Sequence, residues 1–174
     1  MGIFLECSLR GYPIPIKLIK VYGPYYDRQS FWDQVSLTRI LSDQALILTR
    51  DLNFTIFASE SWGHRARLDL MCSYFLDMLQ RHNLRDITPF PLSLTWRNGK
   101  SGMYGIAKLL HRFLLENSLI EKVRRTISCI AQDKMFYHMA IFLDIEFVLH
   151  HKYPFKFNHS WLEEESFRRM VEEV

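Results

Sequence analysis

The sequence predicts a mixed α/β protein built around a sheet. Three observations carry this. The run "QALILTR" at residues 44–50 is short and continuously apolar, the pattern of a strand covered on both faces. Residues 29–41 place Phe31, Trp32, Val35 and Ile40 at helical spacing. Segments of these two kinds alternate over most of the chain.

Taken in order, residues 14–21 ("IPIKLIKV") alternate apolar with polar and predict a strand, and "YGPYYD" after them supplies turn residues. A helix follows over residues 29–41, with Asp27 or Ser30 placed to cap its first free amides. The buried strand of residues 44–50 comes next. Helical spacing of Leu68, Met71, Phe75, Met78 and Leu79 predicts a longer helix over residues 64–82. Residues 86–96 hold two prolines and then "LSLTW", a loop running into a strand. Residues 103–114 suit a helix or a strand equally. "TISCI" and "HMAIFLDIEF" predict two further strands, and "SWLEEESFRRMVEEV" predicts a closing helix with Ser160 and Glu163 spaced as a capping box. No repeat, low-complexity tract or composition break marks a linker, so one domain over residues 1–174 is the simplest count.

With 48% hydrophobic residues in 174, the chain is long enough to bury a core. The net charge of +3 permits contact with phosphate-bearing partners without demanding it. Cys7, Cys72 and Cys129 are too few and too widely spaced for a disulfide framework or a zinc motif, which points to a reducing, intracellular compartment. No apolar run is long enough to cross a bilayer, and the N-terminal segment lacks the layout of a secretion signal. Met1-Gly2 is a weak myristoylation signal, because Glu6 stands where that motif wants Ser or Thr.

The run that ends in Asp51-Leu52-Asn53 is the first candidate site. On an extended chain, residues two apart project to the same side, so this acid and amide could converge on one small target. Both residue types are also ordinary turn formers, and a strand-end turn explains them equally well.

Further motifs fall in a specific order: "KVYGPYY" (residues 20–26), "FWDQV" (31–35), "LTRDLNF" (48–54), "LTWRNG" (94–99), "LLHRFLL" (109–115), "YHMAIFLDI" (137–145) and "PFKFNHSWL" (154–162). In this series the chain resembles the endonuclease/exonuclease/phosphatase superfamily, most of all the endonuclease domain of plant LINE-type retrotransposons. The resemblance runs from Val21 almost to the end. It implies a two-sheet α/β sandwich that hydrolyses phosphodiester bonds of DNA with a magnesium ion, acting in the nucleus as a retroelement endonuclease, with no small-molecule cofactor and no membrane. Such chemistry needs an activated water, a cation against the growing negative charge and hydrogen bonds that hold the phosphate. Carried over by position, the candidate catalytic residues are Asp51 for the water, Asn53 for the phosphate or water, and His138 beside the scissile phosphate. Tyr22 lines the same site, while Thr95, Trp96 and Asn98 match a loop that lies against the nucleic acid, where an indole can stack or wedge.

Departures from the family pattern are as informative. Arg50 stands where the family has a glycine before the aspartate, His111 where it has the aspartate that orients the imidazole, and Tyr137 where it has the acid before His138; Asp133 lies nearby but out of register. The family's early Asn and metal-binding Glu have no match, since Glu6 is the one acid ahead of "VYGP" and its surroundings differ. Magnesium prefers a carboxylate anchor. These losses imply a truncated, degenerate copy without its N-terminal strands, in which hydrolysis is lost or strongly impaired, no metal ligand is assigned, and magnesium matters only if activity remains. The alternatives are a non-catalytic nucleic-acid-binding remnant and a structural or interaction domain.

Several features have plainer readings. Trp32 and Trp96 read as core or half-buried aromatics. Arg124, Arg125 and Lys100 could meet phosphates but more simply face solvent. His150, His151 and His159 lack the partners of a zinc site. Glu165 and Arg169, four apart, suit a solvated helix face.

Overall fold

In a computed structural model, residues 2–8, 12–42, 44–131, 137–147 and 157–172 are described. A five-stranded mixed sheet forms the centre. Its strands are β1 (Gly2–Cys7), β2 (Ile16–Val21), β3 (Leu46–Asp51), β5 (Leu84–Asp86) and β8 (His111–Glu116), in the spatial order β1-β2-β3-β8-β5. β2 and β3 are parallel and joined by helix α1 (Arg28–Leu37), a βαβ unit; the other neighbours are antiparallel. β4 (Ser61–Trp62), β6 (Trp96–Arg97) and β7 (Ala107–Lys108) make a small sheet at one end, and β9 (Val123–Ile130) pairs with β10 (Ile141–Phe147) in a hairpin.

Strand periodicity divides the core in two. Ile19, Val21, Leu46, Leu48 and Leu114 face α1 and helix α2 (Cys72–Arg81), packing with Trp32, Phe54 and Phe75. The intervening residues Ile16, Ile47, Phe113 and Leu115 face the opposite way, against Ile141, Leu143 and Ile145 of β10. The result is helices on one face of the sheet and a second, two-stranded sheet on the other, the predicted α/β sandwich. Trp32 is wholly buried, a core residue. The pairs Arg124–Glu146 and Arg125–Asp144 lie across the exposed hairpin, so these two arginines neutralise a partner strand. Among the described residues, no helix is long and apolar enough to cross a membrane.

Three local expectations are corrected and one open alternative is decided. The helix predicted over residues 64–82 starts only at Cys72. Asp69 ends the preceding loop by turning its carboxylate to Arg28 (2.6 and 2.8 Å) and to the Met71 amide, and Leu70 points into solvent although the helical pattern counts its neighbours as a face. Asp27 is the N-cap of α1 but adopts a left-handed backbone (φ 51°) with no capping bond from its side chain. Residues 103–114 resolve as a short 3-10 turn followed by β7 and β8. Ser160 sits inside a 3-10 turn (His159–Glu163) capped by the Asn158 side chain, and helix α4 begins afterwards at Glu165. The Glu165–Arg169 pair forms across one turn of α4, at 2.7 Å. His150, His151 and Asp133 lie outside the described residues.

One charged cluster ties the layers together. Arg112, on the helix-facing side of β8, is wholly buried and pairs with Glu60 and with Asp86 of β5. Glu60 also accepts the amides of Ile56 and Phe57, at 2.6 and 3.2 Å. Burial raises the Asp86 carboxyl above its ordinary range, with Arg112 opposing the shift. Removing one member of a buried pair leaves its partners charged and dry, at a cost of about 3–5 kcal/mol. Arg112→Met is therefore expected to lower the unfolding free energy by that amount in urea titrations, and the triple variant with Glu60→Gln and Asp86→Asn to recover much of it.

Arg28 and Asp69 give a pH-dependent counterpart. Burial alone would raise the Asp69 carboxyl, but the hydrogen bonds and charge of Arg28 and the Met71 amide hold it below its ordinary value. A carboxyl depressed on folding contributes stability that is present above its unfolded pKa and is lost as pH falls through its folded pKa. The stability gap between the wild type and Asp69→Asn is expected to narrow as pH drops below about 4, measured by denaturation at stepped pH.

Candidate functional site

The site forms where β2 and β3 end beside the start of β8. Gly23, just after β2, donates its amide to the Asp51 carbonyl at 2.8 Å. A side chain there would collide with the Leu52 backbone, since a Cβ would lie 2.2 Å from the Leu52 oxygen. This close approach seats Tyr22 next to the Asp51 turn.

β3 stops at Asp51, and Asn53 follows in a left-handed conformation (φ 58°). The alternation argument for Asp51 and Asn53 thus does not apply: the chain turns, with the Asn53 amide donating to Asp51 Oδ1 at 3.2 Å. Both side chains nevertheless line one cavity of about 510 Å³, because the Asn53 side-chain amide is drawn to the Gly23 carbonyl (3.1 Å) and its own carbonyl is held by Arg28 (3.0 Å). Site and strand-end turn are the same structure. Arg50, where the family pattern has glycine, carries a φ of 110°, a conformation in which a side chain costs about 1–3 kcal/mol. Its guanidinium lies 5.8 Å from the Tyr22 ring centre.

Asp51 pairs directly with His111 in the antiparallel ladder, so both side chains leave the sheet on the hairpin side. Asp51 is 3% exposed, and its Oδ2 lies 3.9 Å from His111 Nε2 and 3.6 Å from His138 Nδ1. The two imidazoles meet at 3.2 Å, His138 Nδ1 to His111 Nε2. His111 Nδ1 faces the Met139 carbonyl at 2.8 Å. Burial lowers the His111 pKa below its ordinary value, with the Asp51 charge and the Met139 carbonyl opposing the shift. A carbonyl only accepts, so Nδ1 carries the proton directed at Met139, and Nε2 faces Asp51 and His138.

Thr95 and Asn98 differ from their expected role. Thr95 is wholly buried, and its Oγ1 accepts the amides of Leu110 (2.8 Å) and His111 (2.9 Å). Its carbonyl takes the Met139 amide at 2.8 Å, which docks the segment carrying His138 onto the start of β8. Asn98 spends its side chain on the Lys100 and Ile106 amides and the Tyr104 carbonyl, organising the loop of residues 98–106. Trp96 lines the cavity and bridges to His138. Tyr137, in the position of the family's acid, is exposed and lays its ring on the Gly99 backbone.

Sequence reasoning missed three contributors. His111 is read there only as a lost acid, whereas its pairing opposite Asp51 makes it part of the cluster. Arg65 and Arg67 fall in what reads as a helix but lie in the loop lining the cavity, beside Lys108. A second cavity of about 590 Å³ adjoins Asp51 and His138 from the side of His111, Lys20 and Arg50. Glu6 is exposed on edge strand β1, opposite Lys17.

Magnesium finds a single carboxylate beside two imidazoles in this donor set. It asks for near-octahedral oxygen ligands, and Asp51 is the one carboxylate of the Asp51–His111–His138 cluster; Asp69, the other acid lining the first cavity, is committed to Arg28.

No protein-family model and no curated protein sequence matches the chain. Solved structures do. The endonuclease domain of TRAS1, a telomere-specific non-LTR retrotransposon, superposes with a TM-score of 0.64 at 12% identity over 86% of this chain, which spans 64% of that domain. The 3'-5' exonuclease NExo from Neisseria meningitidis gives 0.57 at 13% identity, over 84% of this chain and 71% of the other. A structure of the 3' phosphatase NExo from Neisseria bound to a product DNA hairpin gives 0.53 at 14% identity, over 84% and 70%. The chain has the α/β fold of these endonuclease and exonuclease domains.

Proposed function

We propose that the chain is a phosphodiesterase-type domain related to retrotransposon endonucleases, that engages DNA and has lost most or all of its magnesium-dependent cleavage. The observation that carries the reading is the convergence of Tyr22, Asp51, Asn53, Trp96 and His138 on one cavity rimmed by Arg65, Arg67 and Lys108. Its shape and basic rim suit a phosphate backbone, and the fold likeness to a retrotransposon endonuclease domain and to an enzyme bound to a DNA hairpin supports DNA as the polymer.

In this reading the basic side chains hold phosphates, Trp96 stacks on an adjacent base, and His138 meets the phosphate nearest Asp51. Asn53 contributes the least, since its amide group is committed to Gly23. The loss of cleavage follows from Arg50, His111 and Tyr137, which put a cation, an imidazole and a phenol where the family pattern has a glycine and two acids. Each lost electrostatic partner costs about 10²–10³-fold in rate. Thr95 and Asn98 act on the loop rather than on the ligand.

Two experiments test this. Nicking of supercoiled plasmid with magnesium is expected at least about 10³-fold below an active domain of the same fold, with any remainder abolished by Asp51→Ala; brisk cleavage would refute the loss of activity. DNA affinity is expected to fall with salt, and Lys108→Ala or Arg67→Ala to reduce the slope of log K against log salt by about one each. A salt-independent affinity would refute a phosphate-binding cleft.

A further inference from the structure

We propose that Asp51, His111 and His138 form a binding site for a borderline transition-metal ion of the zinc class, in place of the family's magnesium. This goes beyond the DNA-binding reading and does not depend on it.

The geometry is that of three convergent donors. Asp51 Oδ2, His111 Nε2 and His138 Nδ1 are separated by 3.2, 3.6 and 3.9 Å. The point equidistant from three atoms so spaced lies about 2.1 Å from each, the length of a zinc bond to imidazole nitrogen or carboxylate oxygen. A tetrahedral ion with these bond lengths needs donors about 3.4 Å apart, so the two imidazoles have only to close on Asp51 by a few tenths of an ångström, which the half-exposed His138 allows.

Ligand chemistry selects the same ions. Two imidazoles and one carboxylate suit zinc, iron(II) or cobalt(II), whereas magnesium prefers an all-oxygen shell. His111 is oriented as a ligand is: its Nδ1 is bonded to the Met139 carbonyl and its Nε2 is aimed at the cluster. Asp51 is held likewise, with Oδ1 taken by the Asn53 amide and Oδ2 left toward the imidazoles. Backbone structure sets the spacing. Asp51 and His111 are ladder partners, and His138 is bridged to Trp96 beside Thr95, whose hydroxyl holds the His111 amide. His138 is half exposed, and both cavities open on it and on Asp51, so a bound ion keeps a coordination position toward the cleft for water or a phosphate oxygen. The substitution of His111 for an acid is then a change of metal as well as a loss.

The competing arrangement is metal-free, with a proton shared between the two imidazoles beside Asp51. Titrating the purified, reduced chain with zinc alone, followed by calorimetry and by the visible spectrum of a cobalt(II)-loaded sample, separates the two. One equivalent is expected to bind, undisplaced by millimolar magnesium, with a four- or five-coordinate cobalt spectrum. His111→Gln and His138→Gln are each expected to weaken binding at least about 100-fold, while His82→Gln, remote from the cluster, leaves it unchanged. Because His138 is half exposed, its variant is informative even if His111→Gln folds poorly. No stoichiometric binding, or binding that both variants leave intact, would overturn the site; DNA affinity measured on the same samples reports on the cleft independently.

Discussion

The antiparallel register between β3 and β8 is the constraint on which the rest depends. Setting Asp51 opposite His111 and Arg50 opposite Arg112 decides what every residue at this end of the sheet can touch. The even-numbered Arg112 goes to the helix side, into the pair of acids that ties β8 to β5 and to the Glu60 turn. Its odd-numbered neighbour His111 goes to the hairpin side, beside Asp51 and His138. A slip of one residue would exchange the two, burying an imidazole among acids and sending a guanidinium into the cleft.

Around that register the molecule separates structural charge from exposed charge. Arg112 is wholly enclosed and fully paired in its terminal nitrogens, a state tolerable only because two acids and a backbone carbonyl surround it. Arg28 is similarly used, its guanidinium joining the start of α1 to the Asp69 turn and to the Asn53 carbonyl. The cations left along the cleft are those of the 63–71 loop and β7, elements whose short spans place side chains at the rim rather than in the core. His111 sets a nitrogen donor beside Asp51 and His138, in a cluster held by the backbone, without disturbing the Arg112 side of the strand.

Two strands of the central sheet and both strands of the hairpin were legible in the sequence. Strands β2, β3, β9 and β10 follow apolar alternation or continuous runs, which burial on one or both faces demands. The helices were less legible at their ends. Asp69 shortened α2 through a partner forty-one residues away, and no local pattern reports such a contact. For the site, the ordered motifs indicated Tyr22, Asp51, Asn53, Trp96 and His138, all of which line one cavity. Thr95 and Asn98 turn their side chains to backbone groups, an arrangement local spacing does not report, because a hydroxyl or an amide in a loop looks alike whether it serves a ligand or the loop's own backbone.

By itself the sequence determined the fold class, two of the five central strands and the residue types available at the strand ends, because these follow from periodicity and from chemistry local to each segment. Only the tertiary structure decided that His111 stands with Asp51 and His138, that Arg65 and Arg67 reach the cleft, and that Thr95 does not. Those outcomes are set by strand register and by contacts between residues distant in the chain, and neither leaves a trace in local spacing.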